Sequence, residues 1–299
     1  MKFQVVYSDK QVAETNQDPV KGIISPSARK PKLIADALRQ KYPGISFVEP
    51  DPLSTEDFYL AHEQKYVDDI FSKRRANGFG TKSDSVNASL PYTSGAMFKA
   101  CQIAQPDCPA AALVAGFHHV GYAGPAEHTY FCTFNGLMIA ALKMIKSSYV
   151  QRVTIIDCDL HFGDGTDNII KHFRCSSRVQ HYTFGRYYNS PKDAELYLAL
   201  LEPKDGYIRR EIQTFRPDLI IYQSGADTHI DDPMGGILTE EEMIERDVRV
   251  FQIAKDLKIP VAWCLAGGYQ VDKDGGIGTI VRLHLNTFDA CERVNQEEV

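Results

Sequence analysis

The sequence predicts a three-layer α/β/α fold, with helices covering both faces of a mainly parallel sheet. Two observations carry this. Short apolar runs rich in β-branched residues, such as Val153-Thr154-Ile155-Ile156 and Leu219-Ile220-Ile221, read as strands buried on both faces. These runs alternate along the chain with longer segments of helical periodicity, the pattern of repeated strand–helix–strand units. We expect one domain over residues 1–299, since α/β chains of this length often share one core.

In chain order, Phe3 to Tyr7 reads as the first strand. Lys30 to Lys41 reads as a helix, with Pro31 suited to its first turn. Ser54-Thr55-Glu56-Asp57 has the character of a helix cap followed by acidic first-turn residues. Residues 76–90 form a polar, glycine-containing loop, and 94–104 a helix. A buried strand follows at Ala110–Ala115. Asn135–Lys146 is a helix with Leu137, Ala140, Ala141 and Met144 at helical spacing. Strand 153–158, helix Asp164–Phe173 and strand Val179–Phe184 come next, and 190–215 is a mixed stretch without a clear period. Leu219–Gln223 is a strand. Thr239–Lys255 is a helix opened by Thr239-Glu240-Glu241-Glu242, Ile259–Leu265 a strand, and a closing helix follows from Gly275.

Composition narrows the function classes. Hydrophobic content of 43% and charged content of 24% are those of an ordinary globular chain. A net charge of −6 argues against direct nucleic-acid binding, which needs a basic surface. No apolar stretch approaches the roughly 20 residues that span a bilayer. The opening residues read as a strand and not as a signal peptide. The seven cysteines are an odd number without a C-x-x-C pair, so we expect free thiols and a cytoplasmic location.

The chemistry concentrates just past strand ends, where open α/β sheets place their sites. Asp157-Cys158-Asp159-Leu160-His161 closes one strand. Asp159 and His161 are two apart, so on an extended chain they point the same way, and Cys158 turns to the opposite side. A carboxylate and an imidazole on one face suit a divalent metal, and Asp227, past the 219–223 strand, is the third ligand candidate. Such a set leaves a position open for water or substrate, as catalytic zinc sites require. Without a thiolate, the ion could also be Fe(II) or Co(II).

Two further clusters fit hydrolysis. His118 and His119 follow the 110–115 strand. Hydrolysis at a metal needs a base for the water and an acid for the leaving amine. Two imidazoles oriented by carboxylates can supply both, and Asp157 and Asp164 are available. Gly267-Gly268-Tyr269 follows the last strand. The glycines permit a tight turn and close approach to a ligand, and the phenol can donate to a developing oxyanion. In isolation, the histidine pair would read as surface residues and G-G-Y as a packed turn.

Taken together, the motifs resemble the arginase/deacetylase superfamily and, within it, zinc-dependent histone-deacetylase-like enzymes. They are G-F-H-H at 116–119, F-C-x-F-N at 131–135, D-C-D-L-H-F-G-D-G-T at 157–166, Q-S-G-A-D at 223–227 with D-P-M-G-G at 232–236, and G-G-Y at 267–269. The resemblance implies zinc held by Asp159, His161 and Asp227, with His118 paired to Asp157 and His119 to Asp164 as acid/base groups. It implies Tyr269 as the group polarising the acyl carbonyl and Phe131 as one wall of a narrow tunnel. It also implies potassium beneath the zinc, bound by carbonyls of Asp157, Asp159 and His161 and by a hydroxyl best matched by Thr183. The substrate would be an acylated lysine peptide or a small acylated amine such as an acetylpolyamine.

Three departures touch the tunnel mouth. Phe162 stands where the family often has a second His or a Gln. The loop 120–130 is peculiar to this chain, and 185–201 lacks the usual proline/glycine-rich rim. Tyr187 or Tyr188 could supply a second wall, and Asp84, Asp231 and Asp232 could lend an acidic rim. An arginase-like ureohydrolase would need two manganese ions and more aspartates. A non-catalytic binding module would be expected to have lost a ligand or the tyrosine, and all are present.

Overall fold

The computed structural model describes residues 1–13, 28–125 and 131–296. Its frame is a six-stranded sheet of order β1-β2-β8-β7-β5-β6, parallel at every pairing. The strands are β1 (Gln4–Val6), β2 (Ala110–Ala112), β5 (Val153–Asp157), β6 (Val179–Thr183), β7 (Leu219–Gly225) and β8 (Val261–Ala266). A two-residue hairpin, β3 (Val120–Gly121) with β4 (Gly124–Pro125), lies outside the sheet.

Strand alternation builds the two flanking layers. Val261, Trp263 and Leu265 of β8 enter one core, while Ala262 and Cys264 enter the other. The first core packs under α1 (Lys30–Lys41), α7 (Ala194–Leu200), α8 (Tyr207–Phe215), α9 (Glu240–Leu257) and α10 (Gly278–Gln296). The second packs under α2 (Thr55–Phe58), α3 (Gln64–Phe71), α4 (Asp84–Ile103), α5 (Gly136–Lys146) and α6 (Asp164–Phe173). The expected three-layer fold is therefore observed.

Several boundaries differ from the sequence reading, each for a local reason. The loop expected over 76–90 ends at Ser83, whose hydroxyl accepts from Val86 N and starts α4. Pro91 lies inside that helix, and its carbonyl accepts from Leu53 N, 3.2 Å away. The unassigned stretch 190–215 resolves into a 3-10 turn at Pro191–Asp193, then α7 and α8. α3 and the hairpin were not anticipated. The strand expected over 153–158 stops at Asp157. Part of the peculiar 120–130 loop, residues 126–130, lies outside the described residues.

Candidate functional site

The carboxyl ends of β2, β5, β7 and β8 converge, and the segments leaving them carry the polar groups singled out in the sequence. Asp159 and His161 sit on irregular backbone after β5, so strand alternation is not what aligns them. The turn does it: Asp159 Oδ1 accepts from His161 N (2.9 Å) and lies 3.1 Å from His161 Nδ1. Asp227, after β7, accepts from Leu160 N through Oδ1 (3.1 Å) and meets His161 Nδ1 through Oδ2 (3.0 Å). Cys158 faces away into the first core, as alternation predicts.

Asp159, His161 and Asp227 each offer a ligand atom, and these atoms lie within 4.8 Å of one another. Among the described residues this is the one such cluster, which leaves a two-manganese arginase-like centre without its further aspartates. The donor set suits one divalent cation. Two buried carboxylates share the His161 imidazole, with His118 Nε2 3.4 Å from Asp159 Oδ1, and burying such charges is costly unless they are paired or hold a metal. The titration directions agree. Burial, then the Asp159 charge, pushes Asp227 above the ordinary carboxylate range. Burial opposes ionisation of Asp159, yet His118 and His161 hold it below that range. Burial disfavours the His161 imidazolium, but Asp159 and Asp227 raise it to about 11.

The tandem histidines stand beside this cluster. His118 Nδ1 is 2.6 Å from Asp157 Oδ2, and His119 Nδ1 is 3.3 Å from Asp164 Oδ1. Their Nε2 atoms are 3.1 Å apart, so one donates and the other accepts. Burial disfavours the His118 imidazolium, but Asp157 and Asp159 outweigh it and hold its pKa up to about 9. Burial and then the charge of His118 pull His119 below its ordinary value. The two rings are thus driven apart in proton affinity.

The G-G-Y turn is dictated by proximity. Gly267 has φ of +56°, and a Cβ there would stand 2.2 Å from Asp227 Cγ. Gly268, at φ of +89°, would collide with Ile280. Only glycine allows the backbone to pass so close to the Asp227 carboxylate. Tyr269 then lines the same pocket as His118, His119, Asp159 and Phe131. Its ring centroid is 5.7 Å from that of Phe131 and 6.2 Å from that of His161. Burial, then Asp227 and Asp159, pushes its phenol well above its ordinary value, so it stays a hydrogen-bond donor. Phe131 adopts φ of +69°, held by its N–H on Gly78 O (2.7 Å) and by Phe79 at 5.9 Å.

Some expected residues lie elsewhere. Tyr187 and Tyr188 do not line this pocket. They border a separate depression with Asp167, His181 and Arg186, because the 3-10 turn Phe184–Arg186 carries them around the edge strand. Asp232 is not a rim charge. It is buried, its carboxylate accepts from Tyr269 N (2.8 Å) and Met234 N (3.0 Å), and burial raises its pKa to about 7. Asp84 pairs with Lys73 on the surface. Thr183 lies level with Asp157 across β5–β6, and its hydroxyl accepts from Gly163 N (2.9 Å).

Other groups were missed as functional. Gln223 ties two motifs, donating to Asp157 Oδ1 (3.0 Å) and accepting from Phe117 N (3.1 Å). A glutamine in the middle of an apolar strand was the available signal. Asn135 donates to Thr166 Oγ1 (2.9 Å) while capping α5. Lys30 is fully buried and donates to Gly267 O. Burial lowers its pKa to about 8, with Asp227, Asp159 and Asp232 opposing that fall. Nothing in the helical pattern of α1 marked it.

Comparison with known proteins agrees with this geometry. The sequence model described as the histone deacetylase domain matches residues 25–193 and 188–282. An uncharacterized protein of Picosynechococcus is 29% identical over 229 residues, covering 70% of this chain and 74% of that protein. Human histone deacetylase 1 is 24% identical over 274 residues, and probable histone deacetylase 1-B of Xenopus laevis is 25% identical. The chain spans about half of the length of these last two, 54%. The crystal structure of the HDA15 HD domain superposes with a TM-score of 0.71 at 17% identity, covering 98% of this chain and 89% of that one, which speaks to the fold.

Proposed function

The chain belongs to the histone deacetylase domain family, and from that premise we propose that it hydrolyses an N-acyl amine, removing an acetyl group from a lysine side chain. The observation that carries this reading is the convergence of Asp159, His161 and Asp227 beside an imidazole pair and a half-buried phenol. Zinc, or Fe(II) or Co(II) in its place, would be held by those three side chains. When bound, it supplies Lewis acidity and a more acidic water.

The remaining work falls to the protein. His119, oriented by Asp164 and lowered in proton affinity, takes the proton of the attacking water. His118, oriented by Asp157 and raised in proton affinity, holds a positive charge beside the developing oxyanion, and its Nε2–H releases His119 Nε2 as that atom takes the water proton. The proton taken by His119 then passes to the leaving nitrogen as the C–N bond breaks, which releases acetate and the free amine and leaves both rings as they began. Tyr269 donates its O–H to the acyl oxygen. Phe131 covers one side of the acyl-bearing chain, and the Gly267-Gly268 backbone lets it approach. A monovalent cation, potassium, is proposed beneath the site on carbonyls of Asp157, Asp159 and His161 and the Thr183 hydroxyl. Residues 1–299 would act as one catalytic domain in the cytoplasm, a setting consistent with seven free thiols. No helix among the described residues is long and apolar enough to cross a membrane.

The test is a panel assay of zinc-loaded protein with acetyl-lysine peptides, longer acyl-lysine peptides and acetylpolyamines. Release of acetate from the acetyl-lysine peptide is expected. Faster turnover of acetylpolyamine would move the assignment to small amines, and inertness of every amide in a zinc-bound sample would reject hydrolysis.

A further inference from the structure

His181 lies on the edge strand β6, behind the site and away from the pocket that holds Tyr269. Its side chain is only 2% exposed. Nδ1 is 2.8 Å from Asp167 Oδ1, and the other oxygen of Asp167 is 3.3 Å from Arg186 Nη1. On the opposite side, Nε2 is 3.5 Å from Asp157 Oδ2, the outer edge of hydrogen-bonding range, and has no nearer polar partner among the described residues. That same Oδ2 is the atom paired with His118 Nδ1 at 2.6 Å.

Asp157 is therefore enclosed on all sides. Oδ1 accepts from Gln223 Nε2 (3.0 Å) and Asp159 N (3.3 Å), and Oδ2 faces two imidazoles. The residue beside this junction has to be glycine. A Cβ on Gly163 would stand 2.5 Å from Asp157 Oδ2 and 3.0 Å from His181 Cε1.

We propose that His181 is a positioning residue for His118, acting through the Asp157 carboxylate that both imidazoles share. The ring ties Asp157 to Asp167, and Arg186 steadies Asp167 from the far side. The fixed carboxylate sets the plane of His118, and so the direction in which its Nε2 meets His119. Without the ring, Oδ2 keeps His118 alone and the carboxylate can turn into the vacated space. The catalytic part of this inference rests on the hydrolase reading above, whereas the geometric part does not.

Two conservative variants separate positioning from packing. An Asn amide matches the position of Nδ1 and a Gln amide that of Nε2. His181→Asn thus keeps the Asp167 contact and loses Asp157, and His181→Gln keeps reach to Asp157. With zinc-loaded protein and an acetyl-lysine peptide, His181→Asn should lower kcat by roughly 10- to 100-fold, with KM and zinc content unchanged, and His181→Gln should lose less. In metal-free protein, the low-field proton resonance of the short His118–Asp157 hydrogen bond should move in His181→Asn and hold in His181→Gln. Wild-type kcat and an unmoved resonance in His181→Asn would overturn the proposal. So would a loss of zinc in step with kcat, which would mark a purely structural role. Should wild-type protein leave the peptide intact, the hydrolase reading fails separately, and the resonance comparison alone still upholds or rejects the link.

Discussion

Two clusters of buried charge sit on opposite sides of the β5–β7 strand ends, and they solve the burial problem differently. The first is closed. Arg246 donates to Asp247 Oδ1 (2.8 Å), Gly225 O (2.8 Å), Thr228 Oγ1 (2.8 Å) and Ser224 Oγ (3.2 Å). Asp247 also accepts from Tyr222 and from Thr287 Oγ1 (2.6 Å). Every charge there has its partner. The second, Asp159–His161–Asp227, reaches the pocket through Asp159, and its two carboxylates share the His161 imidazole. The contrast teaches that a buried cluster whose charges are matched is architecture, whereas two carboxylates sharing an imidazole beside a pocket are a candidate binding site. The two are joined, because Arg246 holds the carbonyls of Cys158 and Gly225, which lie next to Asp159 and two residues before Asp227.

If the comparison is right, losing a charge should cost stability on the closed side and chemistry on the open side. Arg246→Met leaves Asp247 buried without its cation and should destabilise the fold by about 3–5 kcal/mol, read from chemical denaturation. Adding Asp247→Asn should recover much of that loss. A mild effect of Arg246→Met would erase the distinction between the clusters.

Tyr269→Phe removes one donor from the open side. It should lower kcat by roughly 100- to 1000-fold, equivalent to about 2.7–4 kcal/mol, with KM nearly constant and the melting temperature preserved. Near-wild-type turnover would reduce G-G-Y to a packing turn.

The smallest effect concerns pH. In the metal-free protein His161 is raised to about 11, so at neutral pH it carries a proton that metal ligation must displace. Zinc affinity, measured by competition with a chelator, should rise about tenfold per pH unit between pH 6 and 8. In the absence of metal the sign reverses. A raised imidazole pKa contributes stability in full below its unfolded value, about 6.5, and loses it as pH climbs through about 11. A pH-independent zinc affinity would show that His161 is not a ligand.

The open cluster was largely legible in the sequence, because strand ends announce themselves through short apolar runs and its three residues follow directly. The reason given for the pairing of Asp159 and His161 was incorrect, since β5 ends at Asp157 and side-chain-to-backbone bonds in the turn align them. The closed cluster and the groups behind the site were not legible. Arg246 and Ser224 are 22 residues apart, and His181 and Asp167 are 14 apart, distances at which neither helical nor strand periodicity carries information. The aromatic pair Tyr187 and Tyr188 misled for the same reason. The resemblance offered one of them as a second tunnel wall, but the 3-10 turn before them turns the chain elsewhere.

The central claim is that the open cluster binds one catalytic divalent ion. Titrating metal-depleted protein with zinc, with calorimetry and acetyl-lysine hydrolysis followed in parallel, tests it most directly. Binding and activity should saturate together at about one ion per chain. Asp227→Ala should show neither, while melting no lower than metal-free wild type, because Asp227 is a carboxylate pushed above its ordinary range. Stoichiometric zinc in Asp227→Ala, or wild-type activity indifferent to the zinc added, would contradict it.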